Sequence, residues 1–350
     1  QTLLKPIRML SPILDERGLQ CWHNFIDRAE NVVITAHSGP DGDAVGSSLG
    51  FAEYMRSQGK KVTVVMPNKF PDFLRWMCGA GDIMIYEDNA SHADEVIKAC
   101  NIIFCLDYND LGRADKLGES IAASNAHKIM IDHHLNPSGF ADFEVSHPEM
   151  SSTSELVFRL LWQLDGFGQL SLDGAAAIYC GMMTDTGAFT YNSSSPDIYY
   201  IIARLLEKGI DKDRIYRNVY NNYSRNRVRL MGYVLYRKLH FYGKLRACIY
   251  TLTQDEMSNF NFQKGDTEGF VNLPLMVHDM QLSIALREDT DRQKIRVSLR
   301  SVDDFPCNEM AARFFNGGGH LNAAGGELRC TMAEAEKIAA KAVEAYKDRL

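Results

Sequence analysis

Histidine and aspartate side chains follow three short apolar runs in the first half of the chain. They are His37, Asp41 and Asp43 after the run 32–36, Asp107 after 102–106, and Asp132, His133 and His134 after 128–131. Imidazole nitrogens and carboxylate oxygens together suit divalent cations such as Mn²⁺. Two such cations close together can polarise a phosphate and activate water, with one carboxylate bridging them. The pattern therefore predicts metal-assisted hydrolysis of a phosphate ester.

The elements around these residues predict a parallel α/β sheet. Apolar runs predict strands and amphipathic stretches predict helices between them, with strands at 32–36, 62–66, 102–106 and 128–131 and helices at 44–58, 91–99 and 115–124. In an open sheet of this class, ligands bind beyond the carboxyl ends of the strands. Three separate strands would therefore deliver their polar residues to one crevice.

Each of these residues also has a plain structural interpretation. An Asp after a strand often caps the next helix, so Asp41 or Asp43 could cap the helix predicted from Ala44. Asp132 could cap a turn, and a His-His pair is commonly just polar surface. Because all three strand ends carry such residues at once, we prefer the interpretation in which they share a site.

The second half of the chain predicts a separate α+β domain. Helical patterns lie at 153–164, 173–183 and 197–208, followed by a longer helical tract at about 211–239. Strands are predicted at 245–252, 281–288 and 294–300, then a short helix at 308–315 and a final helix from 332. We therefore predict a catalytic domain over 1–205, a helical connector over 206–242 and a substrate-binding domain over 243–350.

Composition narrows the classes of function. The chain has 350 residues, 45% of them hydrophobic, which is enough for two ordinary domains. A net charge of −7 argues against long duplex nucleic acid as a partner, because such binding needs a basic field. Eight cysteines without a CxxC pair indicate reduced thiols. The N-terminal apolar residues are broken by charges such as Lys5 and Arg8, and no apolar stretch is long enough for a membrane span, so we expect a cytoplasmic protein.

Several motifs in order along the chain resemble those of the DHH phosphoesterase superfamily. His-Ser-Gly-Pro-Asp-Gly-Asp at 37–43 resembles the first motif, and Asp132-His133-His134 is the triplet that names the family. The stretches 107–113, 151–156 and 181–189 resemble further motifs, and 317–325 resembles the associated DHHA1 domain. The group of bifunctional oligoribonucleases and 3′-phosphoadenosine 5′-phosphate phosphatases is the nearest in pattern. One departure is Gly39, where relatives often carry Asn.

The resemblance implies roles for the polar residues. His37 and Asp41 would hold one metal, Asp107 would bridge, and the other metal would be held by Asp43, His133 and Asp185. His134 would face the substrate phosphate, and Asp132 would orient a histidine or hold the turn. The implied cofactors are two divalent ions, with manganese expected and magnesium or cobalt as alternatives.

Other residues are candidates for binding substrate. Arg113 would reach the scissile phosphate or instead pair with a nearby Asp. In the DHHA1-like part, the resemblance favours Arg300 above Arg287, and it implies that Gly318, Gly319 and His320 contact the nucleotide. Without the resemblance, a triple glycine would indicate a flexible connector. An Arg at the end of a strand would then be interpreted as a solvated surface charge.

The expected substrates are short oligonucleotides of RNA or DNA, or 3′-phosphoadenosine 5′-phosphate. Alternatives are linear or cyclic dinucleotides, pyrophosphate or polyphosphate, and, outside enzymes, a nucleotide-binding regulatory protein. The segment 317–326 argues against the pyrophosphatases, and a long-strand exonuclease should show a basic groove, which the sequence lacks. The oligomeric state stays open, with a homodimer as one option.

Overall fold

The structure, a computed structural model, describes residues 10–263, 265–289 and 294–350. It divides into two compact units, the first up to Asn222 and the second from Tyr223 onwards. The stretch 1–9, on which the absence of a signal-peptide pattern partly depends, lies outside the described residues. In the part of the chain that the structure describes, no helix has both the length and the apolarity needed to cross a bilayer.

The first unit contains one six-stranded sheet whose strand pairs are all parallel, in the order β3-β2-β1-β4-β5-β6. Its elements are α1 (Glu16–Ile26), β1 (Asn31–Thr35), α2 (Gly42–Ser57), β2 (Lys61–Met66), β3 (Met84–Ile85), α3 (Ala90–Ala99), β4 (Ile102–Leu106), α4 (Asp115–Ala123), β5 (His127–Asp132), β6 (Phe143–Ser146), α5 (Thr153–Gln163), α6 (Leu172–Asp185), α7 (Pro196–Glu207) and α8 (Lys212–Tyr220). The predicted parallel α/β class is confirmed. The edge strands β3 and β6 were not predicted.

The central strands are apolar along their length because helices cover both faces of the sheet. Val32 and Ile34 belong to a core that includes residues of α2, α5 and α6. Val33, between them, belongs to a second core with residues of α3 and α4. Alternating side chains of one strand thus enter two different cores, as expected for a buried parallel strand.

The strand order places a crevice between β1 and β4. Numbering of the strands reverses there, and in doubly wound sheets this switch point is where ligands bind. The two strands are in register, with Thr35 beside Cys105. His37 and Asp107 each come two residues after that pair, so both lie at the carboxyl edge of the switch point.

Helices α2 and α6 approach each other very closely, and this approach brings Asp43 and Asp185 together. A Cβ atom on Gly46 would lie 2.5 Å from the carbonyl oxygen of Ala177, and one on Gly42 would lie 2.3 Å from Oγ1 of Thr184. Only glycine permits this approach. The start of α2 is thereby packed against the end of α6, where Asp185 is the last residue.

The second unit is built on a sheet in the order β11-β12-β10-β9-β8-β7, antiparallel except for the β8–β9 pair. Its elements are α9 (Arg225–Tyr233), β7 (His240–Phe241), β8 (Ala247–Leu252), α10 (Gln254–Asn259), β9 (Leu282–Glu288), β10 (Ile295–Ser301), α11 (Cys307–Phe314), β11 (Gly318–Gly319), β12 (Ala323–Leu328) and α12 (Met332–Ala345). One face packs on α11 and α12, and part of the other packs on α9 and the turns at 270–276.

Candidate active site

His37 follows β1 and turns one ring nitrogen towards two carboxylates. Its Nδ1 lies 3.0 Å from the carbonyl oxygen of Ser38. A carbonyl can only accept, so Nδ1 donates that bond. The other nitrogen, Nε2, lies 3.3 Å from Oδ2 of Asp107 and 3.8 Å from Oδ2 of Asp41. The backbone contact therefore leaves Nε2 available as a ligand atom.

Both aspartates at the start of α2 accept hydrogen bonds from backbone N–H groups. Asp41 is the N-cap, and its Oδ1 accepts from the backbone N–H groups of Asp43 and Ala44. Its Oδ2 is the oxygen that faces His37, so the capping and ligand interpretations of Asp41 are compatible. Asp43 is buried, and its two oxygens accept backbone N–H bonds from the first two residues of α5, at 2.7 and 2.8 Å.

Asp107 occupies the centre of the cluster. Its backbone has a φ of 65°, a left-handed conformation that is strained for most residues but tolerated by Asp, and it turns the chain at the end of β4. One carboxylate oxygen, Oδ2, faces His37, and the other, Oδ1, lies 3.7 Å from Nε2 of His133. The carboxylate thus spans the distance between the β1 and β5 sides of the site.

His133 repeats the arrangement of His37 at the end of β5. Its Nδ1 donates to the carbonyl oxygen of Met150 at 3.2 Å. Its Nε2 lies 3.4 Å from Oδ2 of Asp185, at the end of α6. The approach of α6 to α2 therefore brings Asp185 within reach of His133, the residue that follows β5.

His134 is held by its neighbour in the triplet. Oδ1 of Asp132 lies 2.7 Å from Nδ1 of His134, and Oδ2 accepts from the backbone N–H of His134 at 2.8 Å. Asp132 is fully buried, whereas the side chain of His134 is 18% exposed. The carboxylate therefore fixes the ring orientation, as an outer-sphere partner of a functional histidine does.

These side chains form three overlapping groups able to hold a metal ion. Within each group the candidate ligand atoms lie within 4.8 Å of one another. The groups are His37, Asp41 and Asp107; Asp43, His133 and Asp185; and Asp107, His133 and His134. All six metal ligands implied by the sequence resemblance thus converge, with Asp107 shared between groups.

The pKa shifts within the cluster indicate a shortage of positive charge. Burial, and then the charge of Asp107, raises the pKa of Asp43 to about 7. Loss of hydration, and then the charges of Asp43 and Asp41, holds the pKa of Asp185 well above its usual value. For His37, burial opposes a charge, but hydrogen bonds to Asp107 and Asp41 outweigh it and raise its pKa. Enclosed carboxylates whose pKa values are raised by their acidic neighbours, beside imidazole donors, fit a bound divalent cation.

Arg113 lies beside the cluster in the turn that follows β4. Its carbonyl oxygen accepts from the backbone N–H of Ser38 at 2.7 Å, which ties this turn to the loop that carries His37. Among the described residues, no carboxylate pairs with its guanidinium. The side chain is half-buried, and it projects from a turn that is hydrogen-bonded to the loop of His37.

Asn68, which sequence reasoning missed, supports the same loop. Its Oδ1 accepts from the backbone N–H of Gly39 at 2.7 Å, and its Nδ2 donates to Oγ of Ser38 at 2.8 Å. Ser38 in turn donates to Asp115. Asn68 follows β2, so a fourth strand end contributes to the site, and only its position after a strand could have indicated it.

Thr153 was also missed as a site residue. The stretch 151–155 reads as a helix cap in the sequence, and Ser152 is indeed the N-cap of α5. Thr153, however, donates from Oγ1 to Oδ1 of Asp107 at 3.0 Å. A contact between residues 46 positions apart depends on how α5 docks, and no local pattern reveals it.

The candidate substrate residues of the second unit lie on one sheet. In β10, Arg300 is paired with Ser283, and Arg296 with Arg287, so Arg300 and Arg287 share a face of the sheet. That face of β10 is partly exposed, while the alternate residues enter the core. The guanidinium of Arg300 donates to the carbonyl oxygen of Leu299.

The glycine segment is an edge hairpin rather than the connector that a triple glycine alone suggests. Gly318 and Gly319 form β11 and pair with Gly325 and Ala324 of β12. His320 begins the turn between them, and its backbone exchanges hydrogen bonds with Ala323. A Cβ on Gly318 would meet nothing within 4 Å, so its Cα faces open space.

Comparison with known proteins identifies the class. The profile of the DHH family N-terminal domain matches residues 31–182, and that of the DHHA1 domain matches residues 247–348. The chain belongs to the DHH family, and it is a phosphoesterase of that family.

Individual relatives align over both units. A solved exopolyphosphatase-related protein from Bacteroides fragilis is 51% identical, covers 97% of this chain and 99% of its own, and superposes with a TM-score of 0.94. A probable bifunctional oligoribonuclease and PAP phosphatase from Streptococcus mutans is 27% identical, covering 88% of this chain and 93% of its own. The bifunctional oligoribonuclease and PAP phosphatase from Thermus thermophilus is 28% identical, with 85% and 84% covered.

Proposed function

We propose that this chain is a divalent-metal-dependent phosphoesterase of short oligoribonucleotides and of 3′-phosphoadenosine 5′-phosphate. The observation that carries the proposal is the convergence of the six candidate metal ligands at the β1–β4 switch point. The choice of substrates is supported by relatives named for these two activities, which align with most of the chain. The eight cysteines are all free, which is consistent with a reducing cytoplasm.

The candidate ligands divide into two sets that share Asp107. His37 and Asp41 would hold one cation, and Asp43, His133 and Asp185 would hold a second. We expect manganese, with magnesium or cobalt as alternatives, because the donors are a mixture of imidazole and carboxylate. Bound there, the cations would polarise the phosphate and lower the pKa of water.

Protein side chains would supply the remaining steps. His134, oriented by Asp132, would donate a hydrogen bond to a phosphate oxygen and pass a proton to the departing ribose oxygen. Arg113 would balance the negative charge that develops on the phosphate. Water adds to phosphorus and the ester oxygen leaves with a proton, giving a mononucleotide from an oligonucleotide, or AMP and phosphate.

In the second unit, we assign nucleotide binding to the partly exposed face of β10 and to the β11–β12 hairpin. Arg300 would pair with a phosphate or stack on a base, with Arg287 further along the same face. Gly318, Gly319 and His320 would present backbone groups and an imidazole to the nucleotide. The open space over Gly318 supports close approach of a ligand to the backbone.

The test compares hydrolysis of four substrates with and without Mn²⁺. They are a labelled trinucleotide RNA, a long single-stranded RNA, 3′-phosphoadenosine 5′-phosphate and pyrophosphate. We expect Mn²⁺-dependent cleavage of the trinucleotide and of the adenosine bisphosphate, with the long RNA cleaved much more slowly. Asp107→Asn should abolish this activity, because it removes the carboxylate shared between the metal groups.

Asp142→Asn is the matched control. Asp142 accepts a hydrogen bond from the backbone N–H of Lys128, near the amino end of β5. The candidate site lies at the carboxyl ends of the strands, so this variant should keep full activity. Cleavage of pyrophosphate alone would preserve the metal centre but reject the substrates. If folded, Mn²⁺-loaded protein turned over none of the four, the nucleotide-binding regulatory protein would become the better hypothesis.

A further inference from the structure

The segment 150–155, which leads into α5, contacts three candidate metal ligands that follow three different strands. The carbonyl oxygen of Met150 accepts from Nδ1 of His133. The backbone N–H of Thr153 donates to Oδ2 of Asp43 at 2.7 Å, and its hydroxyl donates to Oδ1 of Asp107 at 3.0 Å. One short stretch of chain therefore restrains ligands from the β1, β4 and β5 ends of the sheet.

The Thr153 hydroxyl is not needed to cap its helix. Ser152 is the N-cap, and its Oγ accepts from the backbone N–H of Glu155 at 3.0 Å. Thr153 is the first helical residue, so no preceding turn of α5 offers its hydroxyl a carbonyl. The hydroxyl is instead directed at a carboxylate from another part of the fold, and both side chains are buried.

This hydrogen bond sets how the Asp107 carboxylate is turned. An ionised carboxylate only accepts, so Thr153 is the donor. With Oδ1 held by Thr153, Oδ2 faces His37 at 3.3 Å. Rotation about the Cβ–Cγ bond would move both oxygens, and it would break the arrangement that lets one carboxylate serve both metal groups.

The segment itself is firmly anchored. Oε2 of Glu155 accepts from the backbone N–H and the hydroxyl of Ser151, at 2.9 and 2.7 Å. Oε1 of Glu155 accepts from Nε of Arg159 at 2.9 Å, and Arg159 also pairs with Asp197 at 3.2 Å. Because Glu155 and Arg159 are buried, this network holds the donors of the segment in place.

We propose that Thr153 is a positioning residue that tunes metal affinity by fixing the Asp107 carboxylate, a role that rests on the metal site of the proposed function. Loss of an outer-sphere partner of a ligand typically lowers metal affinity about 10- to 100-fold. If the hydroxyl served only to satisfy a buried oxygen, its loss would destabilise the metal-free protein and leave metal affinity unchanged. The two roles are therefore separable by measurement.

The experiment is calorimetric titration of metal-free protein with Mn²⁺, beside melting temperatures without metal. Thr153→Val removes the hydroxyl but keeps the shape and the backbone donor to Asp43, and it should raise the Mn²⁺ dissociation constant about 10- to 100-fold. Thr153→Ser keeps the hydroxyl and should stay close to the wild-type affinity. Thr251→Val, a buried threonine in β8 of the second unit, is the matched control and should bind Mn²⁺ like the wild type.

Three results would overturn the inference. If Thr153→Val binds Mn²⁺ as tightly as the wild type, even with a lowered melting temperature, the hydroxyl of Thr153 has only a structural role. If that variant does not fold, Thr153→Ala replaces it, and equal affinities of Thr153→Ala and Thr153→Ser would reject the role of the hydroxyl. A wild-type protein that binds no Mn²⁺ would overturn the proposed function together with the inference, whereas binding without turnover would reject the substrates alone.

Discussion

At the scale of single residues, a substitution at Asp132 distinguishes the orientation of His134 from the binding of metal. Both of its carboxylate oxygens hydrogen-bond His134. Asp132→Asn keeps the size of the side chain but removes the charge that orients the imidazole ring of His134. We expect kcat on the trinucleotide to fall about 10- to 100-fold, as is typical for loss of an outer-sphere partner, with Mn²⁺ affinity changed only slightly. Steady-state kinetics at saturating Mn²⁺ and calorimetry measure the two effects. An unchanged kcat would remove His134 from the proposed chemistry.

Residue types at strand ends could be predicted from sequence, whereas the contacts that orient them could not. His37 and Asp107 were predicted to meet because parallel strands end at a common edge, and the structure brings them to 3.3 Å. Thr153 and Asn68 have no such signature, because their roles depend on the docking of α5 and on the turn after β2. The roles of the individual ligands stay predictions until metal binding is measured.

At the scale of elements, the crossing of α2 and α6 controls the geometry of the candidate metal site. Gly46→Ala would push a methyl group to within 2.5 Å of the carbonyl oxygen of Ala177. Overpacking of this kind costs about 1–3 kcal/mol of unfolding free energy. Since the crossing also sets the approach of Asp185 to Asp43, Mn²⁺ affinity should fall as well. Chemical denaturation and calorimetry measure the two effects.

Gly232→Ala is the matched control for this prediction. Gly232 lies in α9, and a Cβ there would meet nothing within 4 Å. Alanine in an open helical position restricts the unfolded chain, so this variant should gain about 0.4–1 kcal/mol. If Gly46→Ala were instead as stabilising as Gly232→Ala, the helix crossing would impose no cost at Gly46, and the prediction would be wrong.

Element boundaries were predictable where periodicity was strong and failed where side chains end a helix. The helical tract predicted over 211–239 is interrupted, because α8 ends at Tyr220 and Ser224 caps a new helix, α9. Asn and Ser compete with the helix for backbone hydrogen bonds, and Asn221-Asn222-Tyr223-Ser224 supplies such residues. The glycine segment became an edge strand because β12 provides it with a pairing partner.

At the scale of the whole molecule, the two units should contribute separable terms to catalysis. Arg300→Ala removes a cation from the second unit, and the candidate metal ligands all lie in the first. Loss of a charge-assisted hydrogen bond costs about 1.5–3 kcal/mol, so KM for the trinucleotide should rise about 10- to 100-fold while Mn²⁺ affinity is unchanged. Kinetics and calorimetry test this, with Arg313→Ala on α11 as the control. A changed Mn²⁺ affinity would contradict the division.

The packing of α5 and α6 against the start of α2 also governs when the candidate site can be completed during synthesis. Asp43 emerges early, but its backbone donor in α5 follows 110 residues later, and Asp185 later still. Such distant contacts close slowly, after the chain between them has been made. A growing chain exposes isolated carboxylates and imidazoles long before it can gather them, so the group of Asp43, His133 and Asp185 can capture a cation only after α6 has left the ribosome and docked on α2.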